Sequence, residues 1–586
     1  MENMLNIKIN GMSCSVPYGT TILEAARQVG IEIPTLCFMK EINEIGACRI
    51  CLVDCAMKVG GPRKLVAACV MPISDGMEIL TNTEEVLKAR KTNLELMLSD
   101  HEKKCLSCIR NQNCELQKLC KEYGVDEDRI GGMANDFAPD TSTPWLVREN
   151  NKCINCRRCT AVCKHQQGVG VIGSNDRGFD THIGCAFETN LADSACIGCG
   201  QCTVVCPTGA LHEVDDTAKV LAALNDPTKH VAICAAPSVR ATLGEAFGLE
   251  PGTDVEGKMV AAMKRLGFDG VYDMNFTADL TIIEEAHELI DRIQNGGKLP
   301  LITSCSPGWV KFCEHYFPDF VDNLSSCKSP QQMFGAVYKT YFAQKNNLDP
   351  KDIFFVSCIP CTAKKFEVTR DDENAAGVPD VDVALTTREL ARLIDKAGIN
   401  FKTLPDEKFD SPFAIGSGAG AIFGATGGVM EAALRTAAET ILGTTLEKVE
   451  FEEVRGTEGI KRATYKLGDL EVNVAVCSGT ANAKELLTKI QNGEENYQFV
   501  EVMACPGGCV NGGGQPIQPM SVRESVDLKA LRAAVLYNAD NKLPYRKSHE
   551  NPDIKTIYAE FLGEPGSHKA HEILHTTYVK RGLYTK

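Results

Sequence analysis

The chain has 586 residues, enough for about four domains at roughly 150 residues each and ample for a buried core. Its 62 Lys and Arg against 77 Asp and Glu leave a formal charge of −15, which argues against a nucleic-acid partner, since phosphates are met by clustered basic groups. No charged-then-apolar leader opens the sequence and no apolar run nears the 18 or so residues of a membrane span, so a cytoplasmic protein with no membrane span is expected. Of the 28 cysteines, nineteen fall in residues 1–206. Disulfides are rare in a reducing cytosol, so cysteines at short regular spacings read as metal ligands.

In chain order, residues 5–10 alternate in polarity like a strand, and a helical pattern follows with Thr20 or Thr21 as cap. This small α+β unit spans 1–80. Its Cys37, Cys48, Cys51 and Cys69 resemble the 2Fe-2S ferredoxin-like domain found at the start of large redox enzymes, with zinc as the alternative. Cys14 and Cys55 fall outside the set and read as buried thiols.

Helical spacing from Glu84 to Ser99 opens a second unit, 81–140, in which His101, Cys105, Cys108 and Cys114 offer one imidazole and three thiolates. Zinc or a 4Fe-4S cluster would accept that set. Beside the other iron-sulfur patterns it resembles the His-ligated cluster shared by complex I large subunits and several hydrogenases, with Cys120 a rival to Cys114. Residues 136–145 have the Pro, Asp, Ser and Thr content of a linker.

Residues 141–222 hold an internal repeat, Cys153, Cys156, Cys159 and Cys163 recurring 43 residues later as Cys196, Cys199, Cys202 and Cys206. Short C-x2-C loops bring thiolates together with little closure entropy. In the matching bacterial ferredoxin run the fourth cysteine ligates the other cluster. One 4Fe-4S cluster is therefore assigned to Cys153, Cys156, Cys159 and Cys206, the second to Cys163, Cys196, Cys199 and Cys202. A pair of zinc sites is the bland alternative.

Across 223–586, apolar strand-like runs (HVAICAAP, PLITSC, DIFFVSCIP, LEVNVAVCSG, FVEVMAC) alternate with helical stretches, an α/β pattern. Three runs end in Cys or Pro-Cys, at the strand-to-loop junctions where such folds build sites. The expected fold is multidomain α+β and α/β, with ferredoxin-like iron-sulfur domains followed by an α/β catalytic domain. The glycine-rich stretch 416–428 lacks the order of a dinucleotide fingerprint; close approach to a buried cofactor explains its glycines better.

Three segments bear on function: Thr303-Ser-Cys305-Ser306-Pro-Gly-Trp309, Ile359-Pro-Cys361-Thr-Ala-Lys364-Lys365-Phe-Glu367, and Glu501-Val-Met503-Ala-Cys505-Pro-Gly-Gly-Cys509 with its following glycine triplet. Together they resemble the signature segments of iron-only hydrogenases, and the order of the accessory units matches long clostridial-type members. The resemblance implies an H-cluster, a 4Fe-4S cubane joined through a cysteine sulfur to a two-iron unit carrying CO, cyanide and a dithiolate amine. By motif position Cys509 would bridge, Cys361 and Cys505 would hold the cubane, and Lys364 would pair with a cyanide. Pro237, Ser238 and Gln331 would contact the diatomic ligands, and Met503 would pack beside the cluster. Glu285, Glu288, Arg292 and Ser325 match the family's proton path, the first three at i, i+3 and i+7 on one helix face. A salt-bridged solvated face is the plain alternative.

One departure concerns the first segment, where family members commonly have two adjacent cysteines, a proton relay followed by a cubane ligand. Residue-by-residue transfer leaves Cys305 as relay and Ser306 at the ligand position. A local backbone shift would instead put Cys305 on iron with Ser306 as relay, an arrangement favoured by the preference of soft iron for thiolate. Ile359 stands where the family usually has Met. The resemblance further implies four accessory clusters (one 2Fe-2S, three 4Fe-4S), maturation proteins, and either a flavin and NAD(P)-binding complex with ferredoxin or a stand-alone ferredoxin-dependent enzyme. A non-catalytic H2-sensing or electron-transfer protein of the same fold is the competing class. The C-terminal residues 540–586 resemble the family's small-subunit-like tail.

Overall fold

A computed structural model of the chain describes residues 4–468 and 470–583. Five strands open it in the spatial order Met12–Pro17, Met4–Ile9, Glu78–Leu80, Leu52–Ala56, Arg63–Ala67. Helix Ile22–Gln28 packs on this sheet through Ile22, Leu23, Ala25 and Ala26. Of the two candidate caps it uses Thr21, whose hydroxyl accepts from the Glu24 N–H while Glu24 accepts from the Thr21 N–H, a reciprocal capping box. Cys55 is buried, whereas Cys14 is half-buried on the short Met12–Pro17 strand at the sheet edge.

Helix Glu84–Ser99 follows, with Thr83 as cap. Buried Arg90 donates from Nη2 and Nε to the Leu52 carbonyl at 2.7 and 3.0 Å, which fixes the helix to the first sheet. The 136–145 stretch is not a free tether. Asp140 bridges Arg148, and Trp145 at its end is buried edge-on against Phe366 with ring centroids 5.5 Å apart. An aromatic residue in a polar segment thus ties the cysteine-rich part to the catalytic part.

Two sheets build the rest. The first is parallel, in the order Gly270–Asp273, His230–Ala235, Ile353–Ile359, Val383–Thr386. Its strands are buried on both faces, which is why they read as continuous apolar runs. The second runs Leu301–Ile302, Phe499–Met503, Leu470–Ser478, Ile460–Leu467, with the last strand antiparallel. The PLITSC run contributes only two residues of strand before it turns to the site.

The 21-residue helix Asn275–Asn295 packs against helices Gly428–Leu442 and Pro330–Val337. The glycine stretch is explained differently from the sequence expectation. A Cβ at Gly416 or Gly420 would overlap Asn275, and one at Gly418 would overlap Asp540, so the glycines admit other parts of the chain rather than a cofactor. Gly424 alone among them lines the main cavity, together with Phe423. Buried Asp279 accepts from Ser417, Ser548 and Asn551, and so ties the C-terminal tail to the long helix. Among the described residues no helix is long and apolar enough to cross a membrane.

Candidate active site

The accessory cysteines gather in the predicted groups. Cys37, Cys48, Cys51 and Cys69 are all buried, with Cys51 and Cys69 sulfurs 3.3 Å apart and Cys37 hydrogen-bonded to Cys48. In the next unit the His101 Nδ1 is buried with no hydrogen-bond partner, and burial pulls its pKa down to about 4, leaving a neutral imidazole suited to metal. Cys114 caps helix Glu115–Glu122, its sulfur 3.5 Å from the Gln117 N–H. Cys120 lies inside that helix, its thiol pushed up to about 12 by burial and then by Cys114 and Cys105.

In the repeat, one cavity is lined by Cys153, Cys156, Cys159 and Cys206, and a second by Cys163, Cys196, Cys199 and Cys202. The loops are built alike. Asn155 and Arg157 flank Cys156 with positive φ, and Gly198 and Gly200 do the same around Cys199, so each backbone curls around its cavity. Cys199 also lines the main cavity, so the second ferredoxin-type pocket abuts it.

That main cavity takes in about 840 Å³ of space, part of it open to solvent. Its walls are the C-terminal ends of strands from both sheets, the topological position at which α/β folds place their sites. Strand His230–Ala235 leads to Pro237 and Ser238, and strand Leu301–Ile302 to Cys305 and Ser306. Strand Ile353–Ile359 delivers Ile359, Cys361 and Lys364, and Phe499–Met503 delivers Met503, Cys505 and Cys509; Gln331 comes from helix Pro330–Val337.

Cys361, Cys505 and Cys509 share one electrostatic neighbourhood. Burial pushes the Cys509 thiol up to about 12, with the Cys361 charge adding to it, and Cys505 is raised by burial and then by Cys361 and Cys509. Cys305 faces differently: burial raises it most, followed by the Glu285 charge, while Lys364 lowers it. The neighbouring Ser306 hydroxyl accepts from the Ala504 N–H at 3.2 Å and stands at the N-cap of helix Pro307–Tyr316. Buried Ser238 has a hydroxyl with no partner. Three thiols that line one cavity with the Ser238 hydroxyl and the Lys364 ammonium fit a sulfur-held iron group with small polar ligands.

Lys364 donates to both Glu367 oxygens at 2.8 and 3.0 Å, and Glu367 also accepts from Ser329 and from Gln331 Nε2 at 2.7 and 3.0 Å. Glu367, quoted in the second segment without a role, therefore orients two predicted residues at once. Glu285 is buried and its carboxyl is pushed up to about 8, chiefly by burial and then by the Glu288 charge. Ser325 donates from Oγ to Glu288 at 3.0 Å, and Arg292 donates to Glu288 at 2.6 Å. Ser326, Cys327 and His575 are further neighbours that sequence reasoning missed. The Ser326 hydroxyl lies 3.3 Å from Glu288 and 2.8 Å from His575 Nδ1, and the Cys327 sulfur lies 3.9 Å from Glu288. Adjacency to Ser325 could have signalled the first two; nothing local marks His575.

Known proteins resemble nearly the whole chain. The family described as "Iron only hydrogenase large subunit, C-terminal domain" matches residues 229–513, and "Iron hydrogenase small subunit" matches 526–581. The accessory part matches a 2Fe-2S iron-sulfur cluster binding domain at 2–84, the NADH-ubiquinone oxidoreductase-G iron-sulfur binding region at 90–129, and a 4Fe-4S dicluster domain at 152–210. The chain is 49% identical to the NADP-reducing hydrogenase subunit HndD of Solidesulfovibrio fructosivorans, over 99% of both chains. The chain belongs to the iron-only hydrogenases. Another relative of this hydrogenase is iron hydrogenase 1 of Clostridium pasteurianum, 45% identical over 98% of this chain and 100% of that one. Among solved structures it is similar to a variant of the [FeFe]-hydrogenase HydA1 from Chlamydomonas reinhardtii, with 42% identity and a TM-score of 0.56 over 63% of this chain and 100% of the other. It is thus an enzyme with an H-cluster hydrogenase fold preceded by iron-sulfur domains.

Proposed function

We propose that this hydrogenase interconverts H2 with protons and electrons at the main cavity and passes electrons through four accessory clusters, one 2Fe-2S and three 4Fe-4S, held by the cysteine sets above and His101. The observation that carries the reading is that Cys361, Cys505 and Cys509 line one cavity together with Cys199, whose carbonyl lies 4.0 Å from the Cys505 sulfur. An H-cluster bound there, through these thiolates, would supply the heterolytic chemistry of H2. Division into units at 1–80, 81–140, 141–222 and 223–586 belongs to the same proposal.

The chain's own part is to hold and move protons. With its raised pKa, Glu285 carries a proton at neutral pH. It can donate to the Ser325 oxygen while the Ser325 hydroxyl donates to Glu288. Reversing this pair of hydrogen bonds carries one proton between the cavity side and the Arg292 end. Cys305, which shares its surroundings with Glu285, is the inner relay, and Ser306 stands at the fourth cubane position.

The 49% identity to a subunit of an NADP-reducing hydrogenase supports membership in a hetero-oligomer with flavin and NAD(P)-binding subunits, with ferredoxin as a further electron partner and maturation proteins supplying the two-iron unit. Infrared spectra of anaerobically matured protein test the core of the proposal. Bands of metal-bound CO and cyanide together with H2 consumption are expected, and ferredoxin-type iron alone with no H2 turnover would overturn it. Mild purification through a tag on this chain tests the complex: co-purifying flavoprotein subunits are expected.

A further inference from the structure

Lys311 is a buried cation of the catalytic part. It is 5% exposed, and among the described residues no carboxylate lies within 4.0 Å of its ammonium. The adjacent acid, Glu314, is taken by Arg370 and Arg581. Instead, Lys311 Nζ sits 4.0 Å from the centroid of Trp145 and 4.6 Å from that of Phe366, in an aromatic notch that sheds water and favours a cation. Leaving a buried charge without a counter-charge is expensive.

The surroundings supply a candidate for that counter-charge. Trp145 and Phe366, the two rings beneath the ammonium, belong to the buried cluster that contains Cys196, with Cys163 and Cys202 packed against it. Trp145 packs over Gly198, two positions after Cys196, where an added Cβ would lie 3.4 Å from the indole ring. Lys311 rides on helix Pro307–Tyr316, which begins at the main cavity and whose Gly308 faces the Ile197 carbonyl and Ala504. The ammonium therefore lies on the face of the Cys196–Cys202 loop that looks toward the catalytic part.

We propose that Lys311 is the fixed counter-charge of the cluster held by Cys163, Cys196, Cys199 and Cys202, and that it raises that cluster's reduction potential so that an electron rests beside the main cavity. The inference rests on the cluster assignment above. A cluster with four thiolates is already anionic and gains one further negative charge when it accepts an electron. A nearby cation stabilises the reduced form more than the oxidised one, and the dry aromatic walls keep the attraction from being screened. A residue that merely filled space would leave the potential unchanged.

The test is an EPR-monitored dithionite titration of the anaerobically purified full chain, with the relevant signal identified by its loss in Cys196→Ser. At the wild-type midpoint, Lys311→Met is expected to lower the reduced-to-oxidised ratio of this cluster at least tenfold, about 59 mV for a one-electron couple. The Cys153 cluster should stay in place, and Lys311→Arg should keep the wild-type ratio to within about twofold. Trp145→Leu, which opens the notch to water, should move the midpoint the same way by less, and serves if Lys311→Met does not take up iron. A midpoint unmoved in both Lys311→Met and Trp145→Leu overturns the inference while leaving the cluster assignment intact. Absence of any signal that Cys196→Ser removes overturns both.

Discussion

Arg292 donates from Nη2 to Glu288 Oε1 at 2.6 Å, one turn back along the same helix. Arg292 also donates to the carbonyls of Lys298 and Leu324, so the guanidinium is fixed and the Glu288 carboxylate with it. The second Glu288 oxygen takes the Ser325 hydroxyl at 3.0 Å. Ser325 is held in turn by its N–H to the Ile302 carbonyl and by Tyr578 on its own carbonyl. Glu288→Gln keeps the shape but replaces a proton-accepting carboxylate by an amide. H2 evolution with a viologen donor is expected to fall about 10²-fold, as for loss of a general acid-base group. Iron content should match wild type, and a wild-type rate in this variant removes Glu288 from the path.

The buried carboxyl of Glu285 makes a separate claim about pH. Its pKa is raised from 4.5 to about 8 by burial and by Glu288. Between those values the unfolded chain has released the proton while the folded chain still holds it, so stability falls as pH rises through this window. Glu285→Gln has no such proton to hold. Its stability relative to wild type should therefore grow from pH 5 to pH 8, by a few kcal/mol in all, and level off above. Apparent melting temperatures of the two proteins across that range check this; a constant difference would mean that Glu285 is ionised in the fold. Turnover of Glu285→Gln should be low at every pH.

Much of this was legible in the sequence because iron-sulfur ligands are local. Three of four cysteines in each ferredoxin-type pocket fall within seven residues, and the repeat itself reveals that Cys163 and Cys206 change places. Two thiols of the main cavity stood out because Cys361 and Cys505 each follow an apolar run that becomes a buried strand. What stayed hidden depends on distant segments. Trp145, inside a linker-like stretch, meets Lys311 and Phe366, and His575 pairs with Glu284 and Ser326. The 416–428 glycines answer to Asn275 and Asp540, which no local pattern could name.

The choice between Cys114 and Cys120 can be settled by substitution. Cys114 is the N-cap residue of its helix, where burial raises its thiol but the Gln117 and Leu116 N–H groups and Arg110 oppose the rise. Cys120 sits within the helix, and its thiol is raised to about 12, which disfavours the thiolate a metal needs. Cys114→Ala is expected to lose one 4Fe-4S cluster by iron and sulfide analysis, whereas Cys120→Ala should keep the full content. The opposite result would move the ligand one helical turn and more along the chain.

The adjacent residues Cys305 and Ser306 both line the main cavity on the turn into helix Pro307–Tyr316, but with different neighbours. Cys305 has Glu285, Lys364 and Cys509 as its ionisable neighbours, while the Ser306 hydroxyl accepts from the Ala504 N–H, immediately before Cys505. Replacing each in turn separates relay from ligand. Cys305→Ala should leave the cubane's spectrum intact and lower H2 turnover at least about 10²-fold, because a thiol that hands protons to Glu285 is gone. Ser306→Cys should alter the cubane's EPR and its midpoint, since a thiolate binds soft iron more strongly than a hydroxyl does. A cubane lost in Cys305→Ala, with Ser306→Cys spectroscopically silent, would reverse the two roles and return Cys305 to iron.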